Sequence, residues 1–133
     1  DVLVIGVYRD EDYDLVKDIH GFIPRNVVKV TPIEAEVIKY FNNVNHAVQI
    51  TFANIIYEIC QKIGADYNNV YNAIIKRDCI NPHYLLVNQK FREFGGHCLP
   101  KDTKAINRLL DKLGLDFDLI QATLDDNEKV KNG

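Results

Sequence analysis

Residues 94–102 (FGGHCLPKD) combine more residue types that could do chemistry than any other stretch of the chain. The Gly95-Gly96 pair allows a sharp turn and lets a ligand approach the backbone closely. Cys98 follows, and Lys101 comes three residues later, where we expect a helix to begin. A thiolate is stabilised most easily at a helix N-terminus near a lysine. The stretch therefore predicts a nucleophilic cysteine, with a packing role as the alternative.

The polar residues around this cysteine have alternative readings. Asp102 could cap the following helix, or it could be a carboxylate that orients a water molecule or a lysine. His97 is adjacent to Cys98, and adjacent residues in a turn rarely have the geometry of a Cys-His dyad. The other two cysteines, Cys60 and Cys79, lack such neighbours, and we expect them to be structural. Three cysteines without CxxC spacing favour a reducing compartment, with the cytoplasm expected, over a disulfide framework or a zinc site.

A second polar group lies far from the cysteine in sequence. Lys39, Asn43 and His46 are spaced at i, i+4 and i+7, so they share one face of a helix. That face either lines a pocket or is simply solvated.

The first thirty residues read as strand, helix and strand, over about 2–7, 11–21 and 26–30, which indicates a βαβ unit. Two strands are too few for an independent sheet. Because the chain also opens inside an apolar run without Met, we expect a piece of a longer protein. Residues 1–31 would end an α/β domain, and residues 32–133 would form a helical one.

A long helix is predicted next. Thr31 and Glu34 form a capping-box pattern around Pro32, and apolar residues recur every three or four positions from residue 37 to residue 63, before Gly64. Such a helix is about 48 Å long. Its length and apolar stripe predict packing across a domain or against a partner chain.

The rest of the chain reads as three shorter helices around a long loop. Asp66 is the expected N-cap of the first, residues 76–96 are irregular, and helices follow over about 102–113, closed by Gly114, and 117–130. A loop this long in a compact domain is often functional.

Composition excludes several classes of function. The 133 residues are 47% hydrophobic and 26% charged, which suffices for an ordinary domain with a core. The net charge of −3 and the lack of a Lys/Arg block do not suggest a nucleic-acid partner. No apolar run reaches the ~20 residues of a membrane span. We expect no signal peptide and no metal site.

Four ordered stretches carry a family resemblance. Residues 33–43 (IEAEVIKYFNN), 52–60 (FANIIYEIC), 62–70 (KIGADYNNV) and 94–102 resemble successive motifs of the UDP-glucose/GDP-mannose dehydrogenase family. The resemblance implies a mainly α fold: a central helical dimerisation domain, similar to the C-terminal domain of 6-phosphogluconate dehydrogenase, after a short βαβ remnant of an N-terminal Rossmann domain. It also implies a homodimer through the helix over residues 32–63.

Members of this family oxidise the C6 alcohol of a nucleotide sugar to a carboxylate, with two NAD+, for polysaccharide biosynthesis. By resemblance, Cys98 attacks the aldehyde stage and passes through a thiohemiacetal and a thioester. Lys39 stabilises charge on the substrate oxygen, Asn43 holds that oxygen or the water, and Asp102 helps to position or activate the hydrolytic water.

The resemblance also assigns substrate-binding residues. Phe94, Gly95, Gly96 and Lys101 would contact the nucleotide sugar, with backbone amides as donors.

The chain departs from the family pattern in places. His97 stands where Ser is usual, and Cys79 stands where an arginine is expected, with Arg77 as a candidate substitute. No G-x-G-x-x-G follows a strand, so the NAD-binding motif is not in this sequence, and we expect the isolated chain not to turn over substrate. UDP-glucose is the first choice of substrate. The alternatives are a dehydrogenase for GDP-mannose or a UDP-N-acetylhexosamine, a non-catalytic dimerisation module and, last, a cysteine hydrolase.

Overall fold

The computed structural model describes residues 2–21, 24–87, 90 and 92–132, with side chains described up to residue 131. The chain divides into two compact units, Asp1–Asn42 and Asn43–Gly133. The domain boundary expected between residues 31 and 32 stays a prediction. Residues 88, 89 and 91 of the expected 76–96 loop lie outside the described residues.

The first unit contains the predicted βαβ unit. Strand β1 (Val2–Gly6) and strand β2 (Asn26–Val30) pair in parallel, and helix α1 (Asp12–His20) connects them. Gly6 ends β1 where a side chain would not fit, because a Cβ there would lie 2.9 Å from the Cβ of Ala35.

Helix α2 (Pro32–Ile63) has the predicted bounds because local groups satisfy its ends. The capping box is formed: Glu34 accepts from the backbone N–H of Thr31 at 2.7 Å, and the Thr31 hydroxyl accepts from the N–H of Glu34 at 3.3 Å. These bonds to Thr31 lower the pKa of Glu34. At the other end, Gly64 takes a φ of 72°, which glycine adopts without strain.

Three shorter helices complete the second unit: α3 (Tyr67–Ile74), α4 (Cys98–Leu113) and α5 (Leu119–Asn132). The Asp66 side chain caps α3 by accepting from the N–H of Asn68 at 2.8 Å, as expected. Gly114 closes α4, also as expected. The mainly helical fold with a short βαβ unit is therefore confirmed.

The predicted start of α4 at Asp102 was wrong. The helix begins at Cys98, and His97 occupies the N-cap position without a side-chain cap. Pro100 is tolerated in the first turn because the first N–H groups of a helix have no intrahelical acceptor. Asp102 is the fifth helical residue and is not the cap.

The core of the second unit forms around Ala53, Cys60, Tyr67 and Val87. The buried phenol of Tyr67 donates to the carbonyl of Leu85 at 2.6 Å, and burial raises its pKa. Cys60 is buried in this core, as expected of a structural cysteine, whereas Cys79 is exposed and its structural role stays a prediction.

The apolar stripe of α2 is largely exposed in the single chain. Phe41 and Phe52 are 75% and 58% exposed, and Ile63 is 71% exposed. The inner positions are small or compact, with Val44, Ala47 and Ala53 buried. Over the parts of the chain that the structure describes, no helix is long and apolar enough to cross a membrane.

Candidate active site

A hydrogen-bonded Asn-Asp pair connects α2 to α4. The Asn43 Nδ2 donates to Asp102 Oδ2 at 2.6 Å, across 59 positions of sequence. The other carboxylate oxygen, Oδ1, contacts the ammonium of Lys101. Asp102 is only 1% exposed. A buried carboxylate is stable when charged and polar donors surround it, so this pair fixes the orientation of both side chains.

Cys98 stands at the N-terminus of the same helix. It is the first residue of α4, and its side chain is exposed. The first turn is held from within, because the buried Thr103 hydroxyl donates to the carbonyl of Leu99 at 2.7 Å. The N-terminal end of a helix favours a developing negative charge. The arrangement therefore presents an accessible thiol one turn before a buried carboxylate.

The glycine pair before Cys98 forms the expected sharp turn. Gly96 has a φ of 72°, a conformation that strains any residue with a side chain, while Gly95 and Gly96 are both exposed. Phe94, in contrast, is 3% exposed, so its buried side chain holds the start of the turn against the second unit.

Two buried asparagines hold the backbone just before this turn, and the sequence reading missed both of these roles. Asn127 of α5 accepts from the N–H of Phe94 at 2.7 Å and donates to its carbonyl at 3.0 Å. Asn54 of α2 accepts from Arg92 Nε at 2.9 Å and donates to the Arg92 carbonyl. The available signal was an amide on the inward face of a helix, where an apolar residue is the norm.

Lys39 belongs to the first unit, whereas Asn43, Cys98 and Asp102 belong to the second. The contacts described for the candidate site are therefore contacts within the second unit. Its ammonium lies 5.8 Å from the ring centroid of Tyr40, and its side chain is exposed. Of the four residues predicted to act in catalysis, the structure joins Asn43 and Asp102 directly and places Cys98 on the helix of Asp102.

His46, the third member of the predicted polar face, stacks on Tyr84. Their ring centroids are 4.1 Å apart, and Tyr84 has a φ of 67°, which is unusual for a residue with a side chain. Partial burial, and then the nearby His83, lower the pKa of His46. The residue is thus biased toward the neutral form.

A groove of about 650 Å³ runs between α4 and α5. Phe94, Gly95 and Gly96, three of the four predicted substrate-binding residues, lie along it. Its polar lining mixes both charges: Glu93, Lys104, Asn107, Arg108, Gln121, Asp125, Asn127, Glu128 and Lys131. Cys98, Lys101 and Asp102 are not in the lining, so the groove and the thiol occupy different faces of α4.

Among the described residues, the turn between β1 and α1 does not fit the pyrophosphate of NAD. A pyrophosphate needs a helix N-terminus with free donors and little negative charge. After β1, the α1 terminus instead has Asp12 and Asp14 in its first turn, and Arg9 there already pairs with Asp12 and Glu11. Gly6 packs against Pro32 and Ala35. Within the described residues, no group of three or more His, Cys, Asp or Glu side chains could hold a metal ion.

Comparison with solved structures supports this fold. A UDP-glucose dehydrogenase from Pyrobaculum islandicum superposes with a TM-score of 0.88 at 32% identity, over 97% of this chain and 29% of that one. A UDP-D-ManNAc dehydrogenase from Pyrococcus horikoshii gives a TM-score of 0.79 over 98% of this chain and 29% of that one; at 23% identity, this likeness concerns the fold alone.

Comparison with curated proteins agrees. A UDP-glucose 6-dehydrogenase of Bacillus subtilis is 33% identical to this chain, over 96% of this chain and 27% of its own length. A GDP-mannose 6-dehydrogenase of Pseudomonas aeruginosa is 32% identical over 93% of this chain and 28% of its own. The chain thus spans under a third of these relatives. The central-domain model of one family matches residues 33–129, and the chain belongs to that family, the UDP-glucose/GDP-mannose dehydrogenases.

Proposed function

We propose that this chain supplies the nucleophile and its supporting residues to a nucleotide-sugar 6-dehydrogenase, as part of a longer protein. The observation that carries the proposal is the buried Asn43–Asp102 bond on the helix that begins with the exposed Cys98. In this proposal, residues 1–31 end a dinucleotide-binding domain and residues 32–133 form the central domain.

The thiol chemistry follows from the reactivity of an aldehyde. The Cys98 thiolate adds to the C6 aldehyde carbon, a C–S bond forms, and the carbonyl electron pair moves to oxygen, which takes up a proton as a thiohemiacetal. The Lys39 ammonium and the Asn43 amide stabilise the charge that develops on that oxygen. The thiohemiacetal would then lose its C6 hydrogen as hydride to an acceptor from outside this chain and its hydroxyl proton to a base, which gives a thioester. Water adds to the thioester carbon, and the C–S bond breaks to give the carboxylate and the free thiol.

The hydride acceptor comes from outside this set of residues. Family resemblance implies NAD+, and the acidic start of α1 gives it no phosphate cradle. The steps assigned to this chain are therefore nucleophilic addition, charge stabilisation and thioester hydrolysis.

Asp102 acts in this proposal mainly as a positioning residue. Its 1% exposure and its bonds to Asn43 and Lys101 favour an oriented amide and ammonium over direct contact with solvent. The family resemblance adds a role in positioning or activating the hydrolytic water.

UDP-glucose is the proposed substrate, because the Lys101-Asp102 pair and Thr103 are intact in this sequence. GDP-mannose and UDP-N-acetylhexosamines are the alternatives. Phe94, Gly95, Gly96 and Lys101 are the proposed substrate contacts, and the exposure of Gly95 and Gly96 shortly before Cys98 supports their part of this assignment.

The proposed assembly is a homodimer through α2, in the cytoplasm. The exposed Phe41, Phe52 and Ile63 support it, since a stripe of exposed apolar residues along one helix marks an interaction surface. A chain that dimerises without any part in catalysis is the second candidate.

A substrate panel tests the proposed function. The full-length protein carrying this chain is incubated with NAD+ and, separately, with UDP-glucose, GDP-mannose and a UDP-N-acetylhexosamine. We expect carboxylate formation with UDP-glucose and no turnover by the isolated 133 residues. Failure to oxidise any nucleotide sugar would contradict the proposal, and preference for another sugar would correct the substrate.

A further inference from the structure

The segment before the glycine turn is held from two sides by amide side chains. Phe94 is bonded at both its N–H and its carbonyl by Asn127, from α5. Arg92 is bonded at its carbonyl and its side chain by Asn54, from α2. We define Asn54 and Asn127 as the amide clamp.

The clamp uses groups that are costly to bury. Asn54 is 1% exposed and Asn127 is 8% exposed, so each amide has given up most of its contact with water. An asparagine is neutral-to-poor as a helix former and gains nothing from an apolar environment. What these asparagines contribute is geometry. Each amide bonds a donor and an acceptor of the same residue, and so fixes the position and the orientation of that residue.

The clamped residues belong to no helix or strand. Segment 92–94 has no regular partner of its own, and the side chains of the clamp satisfy backbone groups that a sheet neighbour would otherwise satisfy. Arg92 is held further by Glu58 and by the ring of Tyr57, whose centroid lies 4.7 Å from its guanidinium carbon.

From these contacts we infer that Asn127 and Asn54 are positioning residues for Cys98. The Gly95-Gly96 turn is free to adopt many conformations, so it transmits no fixed geometry by itself. With one end bonded by the clamp and the other end continued by α4, the turn has both ends fixed, and Cys98 keeps a defined place at the start of that helix. The catalytic meaning of this rests on the proposed function, whereas the positioning itself does not.

The test reads the thiol and the backbone, not turnover. Asn127→Ala removes both bonds to Phe94, and Asn107→Ala is the matched control, since Asn107 donates to Gln121 between the same two helices without touching segment 92–94. The iodoacetamide labelling rate of Cys98 is divided by that of the exposed Cys79 in the same molecule. Hydrogen exchange at the Phe94 amide is followed in parallel.

We expect Asn127→Ala to raise exchange at the Phe94 amide about tenfold, as for the loss of one hydrogen bond, and to change the Cys98:Cys79 labelling ratio at least about threefold. Asn107→Ala should leave both values unchanged. An unchanged ratio in a folded Asn127→Ala variant, or an equal change in both variants, overturns the inference.

A second variant covers the case in which Asn127→Ala does not fold. Asn127→Asp keeps the acceptor for the Phe94 N–H and loses the donor to its carbonyl. We expect the Phe94 amide to stay protected while the labelling ratio shifts; a ratio equal to that of the unsubstituted chain overturns the inference. Because neither readout needs substrate, a failed clamp and a failed dehydrogenase activity are distinguishable.

Discussion

Helix α2 and the surroundings of the glycine turn both depart from the rule that apolar side chains are buried and polar ones exposed, but in opposite directions. Along α2, large apolar side chains such as Phe41, Phe52 and Ile63 are exposed. Around the turn, the largest fully buried side chains are polar: Asn54, Asp102 and Thr103. Exposed apolar residues favour a partner surface, whereas buried polar residues favour fixed geometry, since each must find its bonding partners. This difference agrees with the proposed division between an assembly surface on α2 and a rigid polar framework around the candidate active site.

The largest expected effect breaks the polar frame. Asp102→Ala removes the acceptor of Asn43 and the charge partner of Lys101, so we expect the free energy of unfolding to fall by about 3 kcal/mol. Asp111→Ala, an exposed position of the same helix, should change it by less than about 0.5 kcal/mol. Urea unfolding of both variants measures this. Equal small losses would show that the buried pair is not a structural constraint.

The next effect concerns the apolar surface. Phe52→Glu places a charge on the α2 stripe, and we expect the dimer dissociation constant to rise about 100-fold, or about 2.7 kcal/mol. Phe117→Glu is the matched control, because Phe117 is 65% exposed and lies outside α2. Analytical ultracentrifugation across concentration separates them. If the unsubstituted chain is a monomer at every concentration, the proposed homodimer through α2 is contradicted.

The smallest effect sharpens the comparison through pH. The pKa of His46 is lowered from 6.5 in the folded chain, by partial burial and then by His83. The unfolded chain therefore binds this proton first, and stability falls as the pH decreases through 6.5. His46→Phe retains an aromatic ring against Tyr84 without titrating.

The measurement is urea unfolding of both chains at about pH 8 and about pH 5.5, on either side of the ordinary histidine value. The unsubstituted chain should lose more stability on acidification than His46→Phe does. An equal loss in both would mean that the stack on Tyr84 does not bias the histidine.

Local sequence chemistry predicted the ends of α2, because Thr31, Glu34 and Gly64 satisfy their caps within a few residues. The start of α4 was misplaced, because the Lys101-Asp102 pair resembles a helix start although the helix already begins at Cys98. Pro100 does not end this helix, because it lies in the first turn, where backbone N–H groups have no intrahelical acceptor and the missing N–H costs no hydrogen bond.

Part of the candidate site could also be predicted from local sequence chemistry. The spacing of residues 94–102 indicated the cysteine at a helix start. Asn43 could be placed on a polar face, but its bond to Asp102 joins residues 59 positions apart. The bonds of Asn127 and Asn54 to backbone groups 33 and 38 positions away follow from tertiary packing, which no local pattern encodes.

The central claim is that Cys98 is the nucleophile, and covalent trapping tests it most directly. The full-length protein carrying this chain is mixed with NAD+ and UDP-glucose, quenched in acid and digested with a protease. The masses of the cysteine-containing peptides are then measured by mass spectrometry. We predict the mass of an acyl-linked sugar nucleotide on Cys98 and on neither Cys60 nor Cys79, with no carboxylate product from Cys98→Ala. Carboxylate formation by Cys98→Ala at the unsubstituted rate would contradict the account.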